Sequence, residues 1–201
     1  IFAGVKAQIK IILVDIGCGW DIRALIESAA KKSCPLDPIP TRLLVSCLDI
    51  LLPVITKMVN LSLQTGQFPN QWKTAIVNPL LKKRGVAPIF QNLRPISNLA
   101  FISKLTERIV ANQTQRHMTE NKEYPLLQSA YRKNHSTETA LLKLKYDLLL
   151  NMNKAHVSLL VLLDLSAAFD IVDNDILLRR LREKLGLTGT ALTWFSSYLT
   201  G

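Results

Sequence analysis

The chain has little cysteine, and this limits the kinds of site that it can build. Its 201 residues include only Cys18, Cys34 and Cys47, with no Cys-x-x-Cys spacing, and its three histidines stand apart from them. An odd number of unclustered cysteines argues against a disulfide framework and against a structural zinc site. This usage is typical of a reducing compartment, so we expect an intracellular protein of the nucleus or the cytoplasm.

The sequence also lacks an unbroken apolar run of membrane-spanning length. Its longest apolar stretch, residues 43–61, contains Asp49, Pro53 and Lys57. Such a run predicts a core helix, and no membrane partner is expected. No signal peptide is recognisable, and internal repeats and low-complexity tracts are missing as well.

Acidic residues are scarce in the middle of the chain. Between Lys82 and Tyr146 there are 12 Lys and Arg, four Glu and no Asp, so most of the net charge of +10 lies in this stretch. Lys and Arg bind polyanions by releasing counterions from phosphates, which makes nucleic acid a candidate partner. The same charge is also typical of the solvated face of a basic protein, and charge alone leaves both interpretations open.

The apolar periodicity predicts a mixed, helix-rich fold of the α+β class. Strands are expected at 74–83, where Pro79 confines the strand to an edge or a bulge, and at 158–163, with a turn at 94–98. Helices are expected at five places: at 22–32; from Thr41 to about residue 64, interrupted at Pro53 and ended by Gly66; after a cap at Ser97 or Asn98; after a cap at Ser136; and from Asp173 or Asn174 to Gly186.

An acidic cluster follows the second predicted strand, in the sequence LLVLLDLSAAFDIVDND (159–175). Apolar residues on both faces predict a buried strand, and Asp164 stands at its end. A carboxylate there is costly unless it is paired, solvated or bound to a cation, and Mg²⁺ prefers such oxygen ligands. The alternative is a strand-end aspartate that bonds its own turn, while Asp173 and Asp175 are typical helix caps.

The same stretch resembles the first catalytic block of reverse transcriptases from non-LTR (LINE-type) retrotransposons. Four further blocks occur in that family's order: CPLDPIP, GQFPNQWKTAIVNPLLKK, LRPISNLAFISKLTERIV and QSAYRKNHSTETALL. The resemblance covers residues 33–201 and implies an incomplete right-hand polymerase. It places the fingers at about 70–156 and the start of the palm at about 157–201, after an N-terminal extension of poorly defined character at 1–32.

The resemblance also implies roles for individual residues. Asp164 matches the first catalytic, metal-binding carboxylate, and the backbone carbonyl of Leu165 is a second metal ligand. Phe169 resembles the aromatic gate that excludes a 2′-OH from the nucleotide site. Arg94 and Arg132, and Lys82 beside them, match positions that bind the nucleotide or the template.

The implied reaction is nucleotidyl transfer to a primer 3′-OH. The implied cofactor is Mg²⁺, with Mn²⁺ as a substitute. The implied partners are an RNA template, a DNA primer and deoxynucleoside triphosphates, whereas the oligomeric state is not implied.

Departures from the family pattern bear on activity. Leu93 stands where the family has tyrosine, and Ile171 and Asn174 stand where Thr and His are common. An Asp-Asp pair, which the family uses for its remaining metal ligands, does not occur in the sequence. The sequence begins at Ile1 and includes no later palm block, so we expect a fragment that is inactive alone.

Two other interpretations stay open. The chain could be a non-catalytic, basic nucleic-acid-binding remnant of a transposable element. Alternatively, ILVDIGCGWD (12–21) is similar to the first motif of S-adenosylmethionine-dependent methyltransferases, in which glycines let the backbone approach the cofactor. Against the latter, proline-rich CPLDPIP falls where the next strand of such a domain would develop.

Overall fold

The structure is a computed structural model and describes residues 20–29, 32–164 and 171–200. These residues fall into two compact units, one formed by the chain up to Thr114 together with the chain from Asn174 onward, the other by residues 115–173. The described helices are α1 (Trp20–Glu27), α2 (Thr41–Ser46), α3 (Leu48–Thr65), α4 (Asn70–Lys73), α5 (Phe101–Glu120), α6 (Thr137–Asn153), α7 (Asn174–Leu185) and α8 (Gly189–Leu199), and the strands are β1 (Ala75–Leu81) and β2 (Leu93–Leu99).

The core of the first unit is helical. Buried side chains from α1, α3, α5 and α8 form a single cluster, with Val59 of α3 and Trp194 of α8 almost fully enclosed. The indole Nε1–H of Trp194 donates to Ser62 Oγ at 3.0 Å, so the polar end of this buried ring is satisfied. No sequence pattern predicted α8, which supplies the largest buried side chain of the described core.

The long central helix confirms one predicted boundary and corrects another. Gly66 ends α3 in the left-handed conformation, with φ of 67°, as expected. The predicted interruption at Pro53 is wrong, because Pro53 lies inside α3 and the break falls earlier, at Cys47 between α2 and α3. Pro53 is exposed, while the opposite side of α3 is buried through Ile55 and Val59. Tertiary burial therefore outweighs the cost of about 3 kcal/mol for proline in a helix.

The predicted turn at 94–98 is also wrong, because these residues form most of β2. They pair antiparallel with β1, and Pro79 lies directly opposite Pro95. The backbone N–H of Lys82 bonds to Asn92 O at 2.8 Å, which sets the alternation of bonded and non-bonded pairs. Counting from that bond, the two prolines form a non-hydrogen-bonded pair, so neither needs the N–H that it lacks.

A distant carboxylate, rather than Ser97 or Asn98, satisfies the start of α5. Asp37 Oδ1 accepts the backbone N–H of Phe101 at 2.6 Å, and Asp37 Oδ2 accepts the backbone N–H of Cys34 at 2.8 Å. One side chain thus orders the proline-rich segment and also caps the first turn of a helix, where a negative charge is favoured.

The second unit contains α6 and the segments on either side of it. Ser136 caps α6 as predicted, since its Oγ accepts the Thr139 N–H and its own N–H donates to Thr139 Oγ1. The predicted buried strand at 158–163 is wrong, because these residues form no strand and are exposed, Leu159 by 90% and Leu163 by 89%. A strand needs a partner for its backbone groups, and none of the described residues pairs with this segment.

The observed architecture is therefore helix-rich with one small antiparallel sheet, which agrees with the α+β class predicted from the sequence. Within the described ranges, none of the helices combines the length and the apolar character needed to cross a bilayer. Cys34 and Cys47 are both free thiols.

Candidate nucleic-acid interface

Two of the predicted site residues, Lys82 and Arg94, lie on the β1–β2 hairpin of the first unit. Arg94 is in β2, opposite Leu80, and is exposed. Lys82 follows the last residue of β1, and its backbone bond to Asn92 continues the ladder by one step. The Lys82 ammonium donates to the backbone carbonyl of Gln91 at 2.7 Å.

The alternation of side chains places Lys82 and Arg94 on the same face of the hairpin. Residues two apart in a strand share a face, and directly paired residues share it too. Counting from the Leu80–Arg94 pair, that face also carries Asn78 and Asn98, together with the apolar side chains of Ile76, Leu80 and Ile96. We call its polar members, Lys82, Arg94, Asn78 and Asn98, the polar hairpin face.

Prolines in both strands of the hairpin limit its pairing with a further strand. Each of its strands contains one proline, and the sheet of the described residues has only these two strands. Prolines deny a ladder donor to any additional strand, which favours an exposed hairpin. Arg94 consequently projects from a face that remains accessible to a ligand.

Arg132 belongs to the second unit and is partly engaged by packing. Its guanidinium carbon lies 5.1 Å from the centre of the Tyr124 ring, a cation–π contact. Tyr131, its neighbour in sequence, is 78% exposed and adopts a positive φ of 57°. Arg132 itself is half-buried, so the tyrosine orients a guanidinium that is still accessible from one side.

Asp164 is the last residue described before residues 165–170, and it is exposed. None of the described residues bonds to its carboxylate. The prediction that it would stand at the end of a buried strand falls with that strand, so its position is explained by solvation rather than by an obligatory cation. Leu165 and Phe169 lie outside the described residues.

The structure brings only some of the predicted residues together. Lys82 and Arg94 share a face in the first unit, whereas Arg132 and Asp164 belong to the second. Within the described ranges, no three His, Cys, Asp or Glu side chains are grouped closely enough to hold a metal ion.

Sequence reasoning missed a cavity of about 580 Å³ that adjoins the polar hairpin face in the first unit. Its lining includes Asn78 and Asn98 together with the cations Lys32, Lys104 and Arg108. Helical spacing was the available signal, because residues 104 and 108 are four apart on α5 and share one side of the helix. No sequence pattern indicated that Lys32, from the segment before α2, also lines this cavity.

The comparisons with known proteins agree with one another. The protein family described as "Reverse transcriptase (RNA-dependent DNA polymerase)" matches residues 81–199. The probable RNA-directed DNA polymerase from transposon BS of Drosophila melanogaster is 28% identical over 162 residues, which is 81% of this chain and 18% of that protein. The RNA-directed DNA polymerase from the mobile element jockey of Drosophila melanogaster is 29% identical over 157 residues, 76% of this chain and 17% of that protein. The chain therefore spans less than a fifth of the length of these relatives.

Proposed function

Since this chain belongs to the reverse transcriptase family, we propose that it forms the fingers and the start of the palm of an RNA-directed DNA polymerase. The resemblance of its sequence blocks to reverse transcriptases of non-LTR retrotransposons predicted this family. The fingers extend over about 70–156 and the palm begins at about 157, with residues 1–32 as an extension. The reaction is the addition of deoxynucleotides to a primer 3′-OH on an RNA template.

One observation carries the proposal: the family match over residues 81–199 includes Lys82 and Arg94, the two exposed cations of the hairpin, and the exposed carboxylate of Asp164. Phosphoryl transfer needs cations on the nucleotide phosphates and carboxylates that hold metal ions. The hairpin offers the former and Asp164 one of the latter.

The polar hairpin face supports a contact with phosphates. Lys82 and Arg94 lie on the same face, and the Arg94 side chain has no acidic partner among the described residues. A guanidinium binds a phosphate with two parallel hydrogen bonds, which fixes its orientation. Arg132, oriented by the Tyr124 ring, is proposed as a third contact to the nucleotide or the template.

The fit of the residues to Mg²⁺ is incomplete. Asp164 is an exposed carboxylate with no bonding partner among the described residues, and it suits one coordination position. The described residues group no three His, Cys, Asp or Glu side chains closely enough to hold a metal ion, whereas Mg²⁺ takes near-octahedral oxygen coordination. Bound metal would neutralise phosphate charge and activate the primer hydroxyl. We propose Asp164, with the Leu165 carbonyl, as one part of a ligand set that this segment does not complete, and Mn²⁺ as a substitute for Mg²⁺.

A chimera tests the polymerase proposal directly. This chain would replace the aligned segment of the transposon BS polymerase, and extension of a DNA primer on an RNA template would be measured. We expect Mg²⁺-dependent extension by the chimera, and a loss of at least 100-fold in the Asp164→Asn chimera, because an amide is a neutral and weaker ligand.

The matched control is Asp175→Asn, the same substitution at an exposed aspartate in the first turn of α7. It should leave extension within a few-fold of the unmodified chimera. Normal extension by Asp164→Asn, or an equal loss in both variants, would remove Asp164 from the metal site.

Phe169 is proposed as the residue that excludes ribonucleotides, because an aromatic ring under the sugar would clash with a 2′-OH. In the same chimera, Phe169→Val should raise ribonucleotide incorporation relative to deoxynucleotide incorporation by at least tenfold. An unchanged ratio in an active Phe169→Val chimera would contradict this assignment.

A non-catalytic role in nucleic-acid binding is the second candidate, and the exposed cations of the hairpin favour it. This role needs Lys82 and Arg94 but not Asp164. A chimera that binds RNA but extends no primer, with binding lowered by Arg94→Ala, would favour this candidate over the first.

A further inference from the structure

We infer that the cavity beside the polar hairpin face binds phosphodiesters of single-stranded nucleic acid and so gives the strand a second anchoring point. The inference rests on the proposed nucleic-acid role of the hairpin, but it does not require polymerase activity. No residue that the resemblance singled out for nucleotide or metal binding lines this cavity.

The cavity lies wholly within the first unit. Its walls come from the end of α1, the segment 32–37, one face of the hairpin and the first two turns of α5. Its volume of about 580 Å³ is in the range of pockets that hold small organic ligands. A nucleotide or two fits this space, whereas a duplex, whose major groove alone is about 12 Å wide, does not.

The charges around the cavity favour an anion. Lys32, Lys104 and Arg108 line it, all three are exposed, and none has an acidic partner within the described part of the chain. The carboxylate in the lining, Asp37, is held by two backbone N–H groups, so its oxygens are directed toward Phe101 and Cys34. The lining keeps a net positive charge even when Asp37 is counted.

Uncharged groups in the cavity suit a nucleotide better than a bare anion. Asn78 and Asn98 place side-chain amides in the lining, and an amide offers both donors and an acceptor to a base or a sugar. Phe101 also lines the cavity and is half-buried, so part of its ring is available for stacking on a base.

The polar hairpin face connects this cavity with the proposed nucleotide contacts. Asn98 lies at the cavity. Arg94 precedes it by four residues in β2 and is on the same face. At a rise of about 3.3 Å per residue these positions are roughly 13 Å apart. This distance corresponds to about four nucleotides at a stacked rise of about 3.4 Å, so one strand can contact both ends of the face.

The experiment compares two triple variants of the 201-residue chain that lose the same charge. The cavity variant carries Lys32→Ala, Lys104→Ala and Arg108→Ala; the control carries Arg179→Ala, Arg180→Ala and Arg182→Ala, three exposed cations of α7 in the same unit but outside the cavity. Binding of a fluorescent 12-nucleotide oligouridylate would be measured by anisotropy at several salt concentrations.

We expect the cavity variant to bind at least tenfold more weakly at low salt. Its slope of log affinity against log salt should decrease by about 2, because three phosphate contacts to a single strand are lost. The control slope should change by less than 1. Equal changes in the two variants, or a larger change in the control, would overturn the inference.

A measurement on the unmodified chain remains decisive if the cavity variant fails to fold. Reductive methylation of lysines should be slowed at Lys32 and Lys104 by the oligouridylate, while Lys57, exposed on α3, reacts at the same rate. Equal protection of all three lysines, no protection, or equal protection by uridine triphosphate at the same phosphate concentration would each contradict a strand-binding cavity. Failure of the chimera to extend a primer would count against the proposed polymerase function and leave this result unchanged.

Discussion

The Asp37 carboxylate accepts the backbone N–H of Phe101 at 2.6 Å, a contact between residues 64 positions apart. The other oxygen of Asp37 accepts the backbone N–H of Cys34, three residues earlier. Because α5 follows β2 directly, this carboxylate fixes the proline-rich segment against the point where the hairpin joins its helix. The Asp37 side chain therefore holds together two segments that line the cavity, one at Cys34 and one at Phe101, where the hairpin ends.

Removing this carboxylate should destabilise the first unit. We expect Asp37→Ala to lower the free energy of unfolding by about 2–3 kcal/mol, since two backbone donors lose a charged acceptor, and Asp37→Asn to cost less because one oxygen remains. Urea unfolding followed by tryptophan fluorescence would measure both. The control is Asp49→Ala, which removes an exposed partner of Arg23 and should have a much smaller effect. Equal losses for Asp37→Ala and Asp49→Ala would contradict the capping role.

Gly66 offers a prediction in which backbone strain and steric clash can be separated. Its φ is 67°, and a Cβ there would lie 3.0 Å from Thr190 O and 3.1 Å from Thr193 Cβ of α8. Gly66→Ala should therefore cost about 1–2 kcal/mol for the left-handed conformation and a further amount for displacing α8. At Gly85, where φ is 80°, a Cβ would meet nothing within 4 Å, so Gly85→Ala carries the first cost alone.

The difference between Gly66→Ala and Gly85→Ala in urea unfolding then measures the clash with α8. We expect Gly66→Ala to be the more destabilising of the two by about 1 kcal/mol or more. If both variants lose the same free energy, α8 does not approach the end of α3 as closely as the structure has it.

We expect Tyr198 to make a contribution to folding stability that is lost in alkaline solution. Burial raises the pKa of Tyr198 to about 12, and the hydrogen bond from its hydroxyl to Glu107 Oε1, at 2.8 Å, adds to the rise. Because this folded-state pKa lies above the ordinary value of about 10, the contribution is complete below about pH 10 and disappears as the pH rises through about 12.

The Tyr198→Phe variant should accordingly be less stable than the parent at about pH 8, and the gap should narrow between about pH 10 and 12. Urea midpoints measured across this range would test it, with Tyr146→Phe, at an exposed tyrosine of α6, measured alongside as the control. A gap that stays constant across the whole range would contradict the role of the half-buried phenol of Tyr198.

Local signals in the sequence predicted the elements whose ends depend on neighbouring residues. Ser136 was identified as a cap and Gly66 as a helix end because each depends only on residues within one turn of the same helix. Pro53 was misjudged because burial of the opposite side of α3 outweighs a local preference. The strand β2 and the Asp37 cap were missed because their partners are distant in sequence.

In the candidate site, too, features set by neighbouring residues were predicted and features set by distant residues were not. The motifs identified Lys82, Arg94 and Arg132 one by one, but the shared face of Lys82 and Arg94 depends on the register with β1. The cavity cations Lys32 and Lys104 come from segments about 70 residues apart, which no local pattern connects. The apolar pattern at 158–163 predicted a buried strand, yet burial requires a packing partner that the described residues do not supply.

The exposed apolar segment 157–163 leads to a prediction about association. Leu159 is 90% exposed and Leu162 is 81% exposed, within a run that has no charged residue and no proline, a composition typical of aggregation-prone segments. We expect Leu159→Lys with Leu162→Lys to raise the concentration at which the chain begins to associate, measured by light scattering, by several-fold. The control, Leu126→Lys with Leu127→Lys, adds the same charge at two exposed leucines outside this run. If both pairs act equally, net charge rather than the segment 157–163 governs association.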